Sequence, residues 1–188
     1  MELMSLNKEH HRWLTELAIS SIQHGLKTGK PLIIDLNEYP AELAEQRATF
    51  VTLHRQHQLR GCIGTLDAVR PLAVDIAENA FSAAFRDPRF PPLEAHELSD
   101  LDIHLSLLTP AEPMSFTSEQ DLLQQLQAGM DGLILTDGFR RGTFLPSVWE
   151  SLPEPEQFLR HLKQKAGLAP DYWSDTLKVY RYRTEMIA

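Results

Sequence analysis

Leu59-Arg60-Gly61-Cys62-Ile63-Gly64, with Ala48-Thr49-Phe50-Val51-Thr52-Leu53 a few residues before it, is the stretch that decides the fold. The earlier run is rich in β-branched and aromatic residues, and Arg55-Gln56-His57-Gln58 supplies a polar turn, so the two runs read as a β-hairpin. Glycine inside a strand marks a bulge or the close approach of another backbone or a ligand. Gly61 and Gly64 are therefore expected to leave open space around Cys62, the single cysteine of the chain. Pairing of Leu53 with Arg60 sets Val51 opposite Cys62 and puts the thiol on an apolar face, whereas a slip of one residue reverses the two faces.

Outward from the hairpin, Asn7 suits an N-cap for a first helix with Trp13, Leu14, Leu17, Ala18 and Ile22 on one face and a stop at Gly25. Pro31 to Ile34 is a short apolar run, and Pro40 begins a brief helical piece. Pro71 opens a second helix lined by Ala73, Ile76, Ala77, Ala80, Phe81 and Ala84. That helix stops at Asp87-Pro88, because proline disfavours the helical conformation at the residue before it. Leu101 to Leu107 alternates as a half-buried strand with His104 on its polar face. Thr117 and Gln120 predict a capping box for a short helix ending at Gly129, Asp137-Gly138 a second hairpin turn, residues 155–166 a helix, and Leu177 to Tyr182 a last strand. Mixed elements joined by hairpins give an α+β fold with largely antiparallel sheet.

The 188 residues suit one domain, 1–188, with enough apolar content, 43%, for a sizeable core. Eighteen basic and twenty-six acidic side chains give a net charge of −8, which opposes general nucleic-acid or anionic-membrane binding. Arg140-Arg141 and the basic stretch from Lys178 to Arg183 read as solvated strand surface. One cysteine excludes an internal disulfide and multi-cysteine metal sites, and the eight histidines show no ligand spacing, so no bound metal is expected. No stretch of the sequence reads as a signal peptide or a membrane span, which predicts a cytoplasmic protein.

These residues resemble the AMMECR domain family, whose signature is the run from Leu59 to Gly64. The resemblance extends through Phe50-Val51-Thr52-Leu53, Asp87-Pro88-Arg89-Phe90, Ser106-Leu107-Leu108-Thr109-Pro110 and Gly129-Met130-Asp131-Gly132-Leu133. It continues through Phe144-Leu145-Pro146-Ser147-Val148, where the family commonly has Gln in place of Ser147, and ends at Phe158-Leu159 and Lys165-Ala166-Gly167-Leu168. It implies a larger lobe using both chain ends, a smaller lobe, and a cleft near the signature. It also implies a link with a Memo-like protein and a radical SAM enzyme; no cofactor is expected.

Arg60, Gly61, Cys62, Gly64, Asp87 and Arg89 are the candidate ligand-binding residues. An arginine fork suits a carboxylate or phosphate, which points to a small anionic or nucleotide-like ligand, or to a protein partner. The equal alternative for Arg60 is an internal ion pair with Asp87 or another carboxylate, and the Asp87–Arg89 loop serves either as a wall of the cleft or as a lock between helix and sheet. Cys62 is a small buried hydrophobe or, with Arg60 favouring its thiolate, the nucleophile of a cysteine-dependent transferase or hydrolase.

Overall fold

In the computed structural model the described residues are 5–187. The chain runs α1 (Lys8–Thr28), β1 (Thr49–Arg55), β2 (Gln58–Gly64), α2 (Leu72–Phe85), β3 (Leu101–Leu108), β4 (Glu112–Pro113), α3 (Glu119–Gln125), β5 (Gly132–Asp137), β6 (Arg140–Phe144), α4 (Pro155–Lys165), β7 (Lys178–Tyr182) and β8 (Thr184–Ile187). It divides into two compact units, one ending at Leu108 and rejoined by the chain from Glu185, the other Thr109–Thr184.

The first unit carries a four-stranded sheet in the order β2-β1-β3-β8. Alternation sends Val51, Leu53, Leu105 and Leu107 to one face, where all four are fully buried with Leu14, Ile22 and Ile76. Burying each such side chain is worth about 1.5–3 kcal/mol, which fixes the face that looks inward. The alanines of α2 let that helix lie close to the sheet: Ala73, Ala77, Ala80 and Ala83 are fully buried. At α1, Asn7 Oδ1 accepts the His10 N–H (2.9 Å) and His10 Nδ1 accepts the Asn7 N–H (3.1 Å), a closed capping box. The helix passes Gly25 and stops at Gly29, which takes φ +73° and donates to Gly25 O at 2.8 Å. Gly25 serves packing instead of termination, since a Cβ there lies 2.4 Å from the Phe85 ring.

The β1–β2 hairpin turns at Gln56 (φ 51°) and His57 (φ 63°), two non-glycine residues in the left-handed region that a tight hairpin turn requires. Its register corrects the sequence expectation. His54 pairs with Leu59 and Leu53 with Gly61, so Arg60 is the extra residue of a bulge. Beyond the bulge Thr52, not Val51, stands opposite Cys62, and the thiol moves to the half-exposed outer face.

The second unit holds a sheet in the order β4-β7-β5-β6 with α3 and α4. Leu133, Leu135, Phe158, Leu159 and Leu162 are fully buried in its core, and Trp149 stacks on Phe158 at 3.8 Å between ring centroids. Gly138 (φ +61°) makes the β5–β6 turn and Gly167 (φ +85°) follows α4, both as the sequence predicts. The cap of α3 is Ser118, whose side chain accepts the Asp121 N–H at 3.1 Å, and α3 ends at Gln125, before Gly129. Arg181 and Arg183 are not simply solvated: their Nε atoms lie 3.2 and 3.4 Å from Oδ1 of Asp131, a fully buried carboxylate that needs compensation. Ser147, where the family commonly has Gln, is exposed.

Candidate functional site

Main-chain direction explains how Cys62 is held. Thr49 O accepts from the Thr65 N–H and Ala48 O from the Leu108 N–H, so the main-chain groups of Thr52 face β3. Cys62, opposite Thr52, therefore aims its own N–H off the open edge of β2. Asp87 meets it there: its Oδ2 accepts the Cys62 N–H at 3.0 Å. The same carboxylate takes Arg89 in a two-point grip, Nη2 to Oδ2 at 2.7 Å and Nε to Oδ1 at 3.0 Å, and accepts the Arg89 N–H at 3.1 Å. The Arg89 side chain, followed by the two backbone donors, holds the Asp87 carboxyl well below the usual carboxylate range against the opposing effect of burial. The loop stiffened by Pro88 thus fastens the end of α2 to the strand edge, the locking role, and stops that edge from pairing freely.

On the outer face the Cys62 thiol lies 3.3 Å from the Thr52 hydroxyl. Thr52 pairs on its other side with His104, so Cys62, Thr52 and His104 form one row across three strands. His54 stands two residues along β1, its ring edge-on to His104 at 5.4 Å and 85°. The thiol's hydrogen-bond partner is a hydroxyl; the imidazoles share its face.

Arg60 takes the ion-pair alternative, with Glu97 as the carboxylate. Its Nε donates to Oε1 at 2.9 Å and its Nη2 to Oε2 at 3.0 Å, and Nη2 also reaches Pro91 O at 2.8 Å. Glu97 receives Arg55 Nη1 (3.1 Å) and the Glu94 N–H (2.8 Å) as well. With Arg60 only 8% exposed, its Nε and Nη2 are committed to the fold, while Nη1 is buried without a hydrogen-bond partner among the described residues. The expected open space at the glycines is also filled. A Cβ on Gly61 lies 2.1 Å from Ala83 O of α2, and one on Gly64 lies 2.2 Å from the Phe50 ring. The glycines admit a helix backbone and an aromatic ring, which is the other reading of a strand glycine.

Hydrogen bonds from Arg60 lower the Glu97 carboxyl from 4.5 to about 2. A depressed folded-state value contributes stability that is present above the unfolded pKa and lost as pH falls through the folded one. The melting temperature is therefore expected to decline from about pH 5 down to about pH 2. In Glu97→Gln the part of that decline due to Glu97 disappears; an unchanged slope in a calorimetric pH series contradicts the assignment.

The structure thus gathers Cys62, Asp87 and Arg89 and sends Arg60 to a separate cluster. Glu97, Thr52, His54 and His104 were missed. His104 on a polar strand face and Thr52 beside the signature were the available signals, but only the strand register joins them. Among the described residues no three His, Cys, Asp or Glu side chains group to hold a metal, and no helix is long and apolar enough to cross a membrane.

A family model described as AMMECR1 matches residues 15–187. A protein of Methanothermobacter thermautotrophicus is 37% identical over 99% of this chain and 97% of its own. One of Thermotoga maritima is 41% identical over 89% of this chain and 92% of its own. The crystal structure of the uncharacterized protein PH0010 from Pyrococcus horikoshii superposes with a TM-score of 0.89 at 36% identity, covering 96% of this chain and 92% of that one.

Proposed function

The chain belongs to the AMMECR1 family, and from that premise we propose that it is a binding or accessory protein that takes a small anionic or nucleotide-like ligand at the outer face of the first unit's sheet, beside Cys62. The Asp87 clamp carries this reading: it fixes the Cys62 backbone while leaving the Arg89 side chain 56% exposed at the strand edge. Arg89 then supplies the charge that meets the ligand, and Thr52 and the imidazoles of His54 and His104 supply polar groups on the adjoining face. Arg60 acts as a positioning residue that tethers the bulge of β2 through Glu97. Memo-like and radical SAM proteins are the partners that the family resemblance implies for such an accessory role.

The test is thermal unfolding against a panel of nucleotides, phosphorylated metabolites and carboxylates. A ligand at a hundred times its dissociation constant stabilises the wild type by about 2.7 kcal/mol. Arg89→Met is expected to abolish the shift and Cys62→Ser to weaken it. No shift with any anion, or an undiminished one in Arg89→Met, rejects the reading. The contact between the Cys62 thiol and Thr52, on a face that also carries two histidines, favours one second reading, a cysteine-dependent transferase or hydrolase. Fast labelling of the native thiol at neutral pH with a lowered pKa supports that enzyme, and labelling that needs denaturation excludes it.

A further inference from the structure

Away from Cys62, the described residues cover only half of the β3 edge of the same sheet. β3 has eight residues and pairs with β1 from Leu101 to Leu107, whereas β8 has four. The Ser106 hydroxyl meets Met186 Sδ at 3.0 Å and the Thr109 N–H donates to Arg183 O at 2.8 Å, a register that sets Ile187 opposite Leu105. Among the described residues, Ile103 back to Leu101 therefore has no β8 residue opposite it. Since the Leu108 N–H points to β1 and the Thr109 N–H to the β8 side, the N–H and C=O of Ile103 and the C=O of Leu101 point to the β8 side as well. The Leu101 N–H is already bonded to Leu98 O. Among the described residues no strand lies beside this stretch.

Two cavities follow this edge along α1 and share Thr15. One, of about 380 Å³, lies beside the uncovered stretch and is walled by Ile19, Leu98, Leu101 and Ile103, with Gln23 and Asp102 among its polar lining. The other, of about 400 Å³, lies at the end of β8, beside Met186 and Ile187, and is lined by Lys8, His11 and Arg12. His11 is engaged with Glu185 at 2.8 Å, but Arg47 also lies 3.5 Å from that carboxylate, so Glu185 does not cancel the neighbouring cations. The contact of Arg12 with Glu16 is long, 3.8 Å, between side chains 68% and 62% exposed, and an exposed pair of that kind contributes little. The residues lining this second cavity include three basic side chains and no carboxylate, next to an apolar slot and a strand edge that no other described strand pairs.

We propose that this groove docks an extended segment of a partner protein that adds a short strand to β3, sets one apolar side chain among Ile19, Leu98, Leu101 and Ile103, and directs an acidic group to Lys8 and Arg12. Main-chain pairing gives such a site affinity, and the apolar slot and the charges give it selectivity. The proposal is independent of the anion reading at Cys62, because the two share no residue.

The probe is a phage-displayed library of random octapeptides, selected on the wild-type protein and then synthesised as its consensus. The expected consensus is an extended apolar pattern with an acidic residue at one end. Ile19→Arg, which fills the slot from a half-exposed position, is expected to weaken the consensus peptide at least about tenfold, as is the double charge reversal Lys8→Glu with Arg12→Glu. A peptide with lysine in place of its acid then regains binding to the reversed variant only. Should Ile19→Arg unfold, the charge-reversed protein, altered only at exposed positions, decides alone. Failure to enrich any sequence, a basic consensus, or binding that both variants leave intact overturns the proposal. So does self-association of the wild type that Ile19→Arg abolishes, which assigns the edge to a second copy of the chain.

Discussion

Gly61→Val is expected to lower the stability of the first unit by about 3 kcal/mol, at the upper end of ordinary overpacking, or to prevent folding altogether. The magnitude follows from what the new side chain meets. A Cβ at residue 61 falls 2.1 Å from the carbonyl oxygen of Ala83 and 3.0 Å from its carbonyl carbon, and a helix backbone cannot rotate aside as a flexible side chain can. β2 and α2 must separate, which opens the contact between the sheet and the row of buried alanines. Gly29→Val is the control, since nothing lies within 4 Å of a Cβ there although the residue takes φ +73°. Its cost is local backbone strain of about 1–2 kcal/mol. Chemical denaturation of both variants checks the ordering, and equal midpoints contradict the close approach of helix and strand.

Arg60→Met is expected to cost about 3 kcal/mol, at the low end of the range for breaking a buried pair. The methionine keeps much of the apolar stem but leaves the Glu97 carboxylate and Pro91 O without the guanidinium. Arg55 and the Glu94 N–H still hold Glu97, which keeps the loss from the top of that range. A double-mutant cycle with Glu97→Gln measures the coupling: the double variant should be more stable than the sum of the single losses implies. Strict additivity, or a change in Arg60→Met within about 0.5 kcal/mol, removes Arg60 from the scaffold and returns it to the set of groups available for a ligand.

The hairpin around the signature was legible because β-branched residues flank a polar turn, and the two principal helices because their apolar residues recur at helical spacing. Glycine positions were legible as special but not in kind. Gly61 and Gly64 announce a close approach, and the sequence cannot say whether a ligand, a helix carbonyl or a phenyl ring makes it. Thr117 and Ser118 are both good caps one residue apart, and local chemistry does not choose between them. The run from Lys178 to Arg183 looks like solvated charge until Asp131, some fifty residues earlier in the chain, is placed within reach of Arg181 and Arg183.

What the sequence by itself determined is therefore local and periodic: the α+β class, most of its elements and the hairpin turns. What only the tertiary structure decided is direction and partnership. A single bulge at Arg60 shifts the register by one residue, and because side chains alternate across a strand, that shift moves Cys62 from the apolar face to the outer face beside Thr52. The partner of Arg60 is Glu97, thirty-seven residues away in a short 3₁₀ helix, Ala95–Asp100. Any of several carboxylates has the right charge, and only the packed position of that helix selects one.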